Sequence, residues 1–191
     1  MAHFDRAAGP AERISLVMRR ANLEGLPERR VVSGYSLRLF RRGEEELWAR
    51  VETAAGEFGS VDRALERFRS EFGAYPQEME RRCLLLEGPG AEVVGTTTAW
   101  YSDDFQGGRW GRIHWVGVSP GHQGRGLGRL LVVEALRLMR RWHDRAYLTT
   151  QTTSWVAIHL YLDLGFRPLV TQPEQERGWE LLRRMVPHPA L

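Results

Sequence analysis

Val116-Gly117-Val118-Ser119-Pro120-Gly121-His122-Gln123-Gly124-Arg125-Gly126-Leu127-Gly128 is the stretch on which the reading of this chain turns. Ile113 to Val118 reads as a strand entering it. Leu127, Leu131, Ala135, Leu138 and Trp142 recur at helical spacing, which predicts a helix leaving it and running to about His143. The glycines between let backbone approach a ligand and adopt dihedrals closed to other residues. Amides in the first turn of a helix lack intrahelical acceptors and point into such a turn. They form a site for a phosphate or pyrophosphate, to which Gln123, Arg125 and Arg129 add donors.

Outward from the turn, Tyr147–Thr152 reads as a strand, Ser154–Leu164 as a helix stopped by Gly165, and Phe166–Val170 as a last strand. The spacing of Trp179, Leu182, Met185 and Val186 favours a closing helix between Glu174 and Val186, with Gly178 against it. Upstream, Gly34–Arg41 alternates as a strand. Two helices follow, one over Gly43–Ala55 and one capped by Ser60 with Val61, Leu65 and Phe68 on a stripe. Cys83–Glu87 and Val93–Tyr101 read as a hairpin around Pro89-Gly90, and Asp103–Gly108 as a polar loop. The order β-α-α-β-β-β-α-β-α-β predicts an α/β fold: one central mixed sheet with helices on both faces. Residues 1–30 read as a partly flexible N-terminal extension with an added edge strand at Ile14–Met18. Residues 31–191 read as one domain.

Composition narrows the class. All 27 basic residues are Arg and acidic residues are mixed among them, leaving a formal charge of +3. No basic face or tail of the kind nucleic-acid binders carry is visible, so no nucleic-acid partner is expected. A single cysteine, Cys83, precludes an internal disulfide and fits a reducing compartment. No segment is long and apolar enough for a leader or a membrane span, so a cytoplasmic protein without a membrane partner is expected. The scattered His and Cys residues show no metal-ligand spacing.

Three phosphate ligands compete for the glycine turn. A Walker loop requires a Lys, which the chain lacks. A dinucleotide fingerprint requires G-x-G-x-x-G after the first strand of a βαβ unit. Here the spacing is Gly124-x-Gly126-x-Gly128, late in the chain. The pyrophosphate of CoA remains. At these residues the sequence resembles the GNAT superfamily of N-acetyltransferases. Gln123, Gly126 and Gly128 meet that family's cofactor signature, and Val116-Gly117-Val118-Ser119-Pro120 before them is also typical. Ala157-Ile158-x-Leu160-Tyr161-x-x-x-Gly165-Phe166 resembles its second motif, and the resemblance runs from about Tyr35 to Val170.

The resemblance implies acetyl-CoA as co-substrate, no metal, and direct transfer of acetyl to a primary amine on a small molecule or peptide. It also leaves a homodimer open. It implies that Val116, Gly117, Val118, Gln123, Gly124, Arg125, Gly126, Leu127, Gly128 and Arg129 hold the coenzyme, with a backbone N–H near Val116 polarising the thioester. Ser154 stands where many members carry an Asn that contacts the pantetheine arm; here Ser154 can cap the helix instead. Tyr161 is the expected general acid, the alternative being core packing. His114 is the candidate base. Strand alternation puts Arg112, His114, Val116 and Val118 on one face, and some members carry a histidine on this strand. The alternative is a half-buried histidine bonded to a neighbour. Asp103 and Asp104 are candidates for the acceptor side, the alternative being a solvated loop, and Trp110 is a candidate pocket residue, with Trp100 and Trp115 in the core. Cys83, His122 and His159 are expected to be bystanders. A non-catalytic acyl-CoA-binding or sensor module of the same fold is the competing function.

Overall fold

The structure is a computed structural model that describes residue 10, residues 12–28 and residues 32–191. Most of the expected N-terminal tail, and the expected domain boundary at residues 30 and 31, lie outside the described residues. Among the described residues seven strands form one sheet: β1 Ser15–Arg20, β2 Ser36–Leu39, β3 Cys83–Glu87, β4 Val93–Phe105, β5 Gly108–Val118, β6 Ala146–Gln151 and β7 Arg167–Leu169. Their spatial order is β2-β3-β4-β5-β6-β1-β7. Every neighbouring pair is antiparallel except β5 and β6, which run parallel.

Six α-helices among the described residues flank the sheet: α1 Glu45–Ala54, α2 Val61–Phe72, α3 Pro76–Arg82, α4 Leu127–Met139, α5 Trp155–Asp163 and α6 Pro173–Arg183. Trp48, Phe68, Phe72 and Met79 of α1–α3 cover one face, over Cys83 and Leu85. Leu131, Val132, Ile158, Leu162, Trp179 and Leu182 of α4–α6 cover the other. The mixed sheet with helices on both faces is the architecture expected. Ser60 caps α2, its Oγ accepting from Arg63 N at 3.3 Å.

Several elements depart from expectation, each for a local reason. The strand at Ile14–Met18 forms as β1, but inside the sheet, paired on both sides by β6 and β7. Leu16 and Met18 are fully buried there, which an edge position does not require. Helix α3 was not legible because its seven residues are too few to show a stripe; Pro76 starts it. The Asp103–Gly108 loop is mostly strand. Gln106 and Gly107, at φ +52° and +72°, turn the hairpin in two residues. Helix α4 ends at Met139, and Trp142 instead packs under the Arg82 guanidinium at 4.1 Å. Gly178 sits within α6 because a Cβ there would lie 2.9 Å from Leu16 of β1.

Candidate functional site

The site starts from an irregularity in β5. Thr96 of β4 pairs with Gly117 and Thr98 with His114, so Thr97 alone stands opposite Trp115 and Val116. This is a β-bulge, with Trp115 at φ +50°. An extra residue reverses which side chains share a face. His114 and Trp115 therefore both lie toward α1 and α2, against Phe72 and Trp48, while Val116 packs with the α4–α5 side and Val118 against the Leu127 cluster. The expected common face for Arg112, His114, Val116 and Val118 breaks at this point. The same stretch parts from its other neighbour. The parallel β5–β6 pairing ends at Arg112 opposite Tyr147, so β5 from Ile113 and β6 from Leu148 diverge. The unpaired edges make a V through the sheet, and cavities open on both sides of it.

On the α4 side lies a cleft of about 560 Å³, lined by Val116, Val118, Gln123, Gly124, Gly126–Arg129 and Thr153–Ala157, with Leu160 and Tyr161. Gly126 is the N-cap of α4 at φ +79°, with no side chain capping the first turn. The three amides that follow thus face the cleft mouth, where the helix dipole favours an anion. Gly124, at φ +77°, turns the chain just before. The side-chain donors are used otherwise. Gln123 Nε2 donates to Val118 O at 2.8 Å, holding the loop onto β5. Arg125 bonds the Tyr35 hydroxyl and Gly121 O, away from the cleft lining, and Arg129 pairs with Asp163 at 3.2 Å. Gly117 turns away as well; a Cβ there would meet Glu52 Oε1 at 2.8 Å. Ser154 precedes α5 without a side-chain cap bond, contrary to the capping expected, and lines the cleft instead.

Across the V lies a second cavity of about 320 Å³, walled by α2, the α1–α2 loop, β5, β6 and the residues before β1. It shares Val116, Ser154, Ala157 and Tyr161 with the cleft. Tyr161 is 8% exposed, and burial pushes its hydroxyl well above the ordinary range, with Glu57 and Glu52 adding to the effect. His114 lines the second cavity at 9% exposure. Its Nε2 lies 2.7 Å from Glu71 Oε2, which also accepts from Trp115 Nε1 at 2.8 Å. Burial pulls the His114 value down; Glu71 opposes this, and Arg112 and Arg67 reinforce it. Burial raises the Glu71 carboxyl, but its bonds from His114 and Trp115 outweigh that and leave it below the usual range. A neutral His114 donating from Nε2 to ionised Glu71 carries its lone pair on Nδ1.

Sequence reasoning missed Glu71, since a carboxylate beside an amphipathic stripe reads as solvated surface. Trp100 and Trp115 pack against the α1–α3 core as expected. Trp115 lines the second cavity, whereas Trp110 is buried against Phe105 and under Arg145, at the far end of the hairpin. Asp103 pairs with Arg109 at 2.5 Å beside it, and neither Asp103, Asp104 nor Trp110 lines either cavity. Glu52 was not legible either: it is fully buried, and both carboxylate oxygens lack a hydrogen-bond partner among the described residues. Burial drives its value well up, with Glu57 adding, which favours the neutral acid.

The remaining candidates stay outside the site. His122 Nδ1 is bonded by the Tyr35 hydroxyl at 3.0 Å, and His159 packs on His188 near Asp163. Cys83 is buried and its thiol is pushed up to about 11, so it is not a nucleophile at neutral pH. Among the described residues, no cluster of His, Cys, Asp or Glu could hold a metal, and no helix is long and apolar enough to cross a membrane.

Comparison with known proteins agrees with this geometry. Mycothiol acetyltransferases are similar over most of the chain. The one from Nocardia farcinica is 29% identical over 191 residues, covering 87% of this chain and 60% of that protein. The one from Geodermatophilus obscurus is 30% identical over 172 residues, covering 81% and 52%. The chain thus spans little more than half the length of these relatives. Among solved structures, a GCN5-related N-acetyltransferase from Sphaerobacter thermophilus superimposes with a TM-score of 0.62 at 25% identity, over 82% of this chain and 49% of that one. Glucosamine-6-phosphate N-acetyltransferase from Arabidopsis thaliana shares the fold, at a TM-score of 0.53 and 17% identity over 72% of this chain and 95% of that one. The model of the acetyltransferase (GNAT) family matches residues 45–166, which bracket the bulge, the glycine turn and Tyr161, and the chain belongs to that family.

Proposed function

We propose that the chain is an N-acetyltransferase that moves an acetyl group directly from acetyl-CoA to a primary amine on a small molecule or peptide. One observation carries the reading: the cleft at the mouth of α4 and the cavity beside His114 meet at Val116 and Tyr161. A thioester lying at that junction would face an amine entering from the other side of the sheet.

Each part of the reaction then has a group to perform it. The first-turn amides of α4 would hold the diphosphate. The unpaired edges of β5 and β6 would bond the amides of the pantetheine arm. The Val116 N–H stands in the bulge, opposite no single β4 partner, and would donate to the carbonyl oxygen as charge develops there. His114, kept neutral by burial, would take the amine's proton directly or through water. The new N–C bond forms as the C–S bond breaks, and the sulfur leaves as a thiolate. A thiol has a pKa of about 8.5. Full proton transfer from a hydroxyl as weakly acidic as Tyr161 is uphill, so its contribution is a hydrogen bond donated to the departing sulfur.

The test is ligand-dependent melting together with release of free CoA thiol. At about 100 times its dissociation constant, acetyl-CoA adds about 2.7 kcal/mol of stability. That raises Tm by about 5–10 °C for a domain of this size. A melting temperature unmoved by millimolar acetyl-CoA would sink the proposal. Binding without thiol release across a broad amine panel would favour the sensor alternative.

A further inference from the structure

We infer that the amine accepted in the second cavity also carries an anionic group, a carboxylate or a phosphate, close to the reacting nitrogen. The inference rests on the transferase reading above and names the class of its acceptor. Three arginines from three separate parts of the chain line that cavity: Arg13 ahead of β1, Arg67 on α2 and Arg112 on β5. Their donors are under-used. Arg112 gives one bond, to the neutral Thr149 Oγ1 at 3.2 Å, and its buried Nε finds no acceptor among the described residues. Among the described residues Arg67 meets only the Oε1 of Glu71, at 3.5 Å, and the other oxygen of that carboxylate is committed to His114 and Trp115. Arg13 is exposed and forms no ion pair among the described residues.

Guanidinium groups converging on a small cavity repel a purely cationic ligand and match a planar or tetrahedral oxyanion, often through paired bonds. Two carboxylates line the same space. Glu71 is engaged by the protein itself. Glu57, exposed in the α1–α2 loop, forms no ion pair among the described residues and can meet an ammonium group. The arrangement suits a ligand with both charges: cation toward Glu57, anion toward the arginines. His114, Arg67 and Arg112 line the same cavity, so the anion would sit a short distance from the base. A lysine side chain on a folded protein carries no anion so near its amine. A free amino acid, an amino-alcohol phosphate or a phosphorylated amino sugar does.

The experiment uses matched pairs: L-alanine with L-alaninamide, phosphoethanolamine with ethanolamine, and glucosamine 6-phosphate with glucosamine. CoA thiol release is followed for each with the whole chain. The anionic member of at least one pair should exceed its neutral partner by about tenfold or more in kcat/KM. Which pair shows the effect separates carboxylate from phosphate recognition. Arg112→Gln should shrink that ratio chiefly through KM for the anionic member. Arg67→Gln, on the exposed side of α2, repeats the test where Arg112→Gln fails to fold. Neutral amines acetylated as well as or better than their anionic partners would overturn the inference and leave the transferase standing. An undiminished ratio in both variants would overturn it too. No transfer to any amine, with acetyl-CoA bound, would remove the transferase reading and this inference together.

Discussion

Val116, Ser154, Ala157 and Tyr161 belong to both cavities, yet the two cavities are made of different material. The cleft at the mouth of α4 is largely backbone. The first-turn amides of α4 follow a glycine turn there, and the neighbouring Gln123 and Arg129 bond the protein itself. The second cavity is side chains. His114, Glu71, Arg67, Arg112, Glu57 and Arg13 come from four different elements and loops. A backbone site suits a co-substrate whose diphosphate never varies. A side-chain site can be re-specified by single substitutions. The two should therefore fail differently when mutated.

The largest effect is expected at the turn. Gly126→Val forces a β-branched residue into φ +79° and crowds the amides of α4. Acetyl-CoA affinity should fall by about a hundredfold, read by calorimetry with circular dichroism to confirm folding. An unchanged affinity would mean that the anion does not sit there. On the other side of the V, His114→Ala should lower kcat/KM by about a hundredfold at pH 7, while acetyl-CoA still protects against heat. Because burial holds the His114 value below the usual 6.5 or so, the wild-type rate should stay level down to about that pH and fall only below it. A variant keeping this acidic limb would assign the base elsewhere.

At the junction, Tyr161→Phe removes the hydrogen bond proposed to the leaving sulfur and should cost about tenfold in kcat, with KM for acetyl-CoA within about twofold. The smallest effect is expected behind the site, at Glu52. Its carboxyl is raised by burial, so the folded protein holds the proton more tightly than the unfolded chain does. The stability this contributes is full below the unfolded value and is lost as pH rises toward the folded one. Glu52→Gln should raise Tm by about 3–6 °C at pH 8 and by less at pH 5. A larger gain at pH 5 would show that Glu52 is ionised and paired in the folded state.

What could be read in advance follows the same division. The strand, turn and helix around Val116–Gly128, and Tyr161 on the next helix, were legible because each is a local pattern. So were Ser60 as a cap and the closing helix, despite Gly178. The bulge was not legible. Nothing in Ile113-His114-Trp115-Val116 distinguishes an extended strand from one carrying an extra residue, and strict alternation then placed His114 and Val116 on one face. Glu71, Glu52 and the arginines were hidden for a related reason. A charged residue beside an apolar stripe reads as solvated until a strand from elsewhere in the chain is laid against it.

The sequence by itself determined most of the element order, the sheet with helices on both faces, and a glycine turn opening a helix. These depend on periodicity and on glycine dihedrals, which act over a few residues. Tertiary structure alone decided that β5 breaks from β6 after Arg112, that His114 meets Glu71, and that β1 lies within the sheet. Those outcomes depend on contacts between segments distant in sequence, where one inserted residue or one paired edge redirects every side chain that follows.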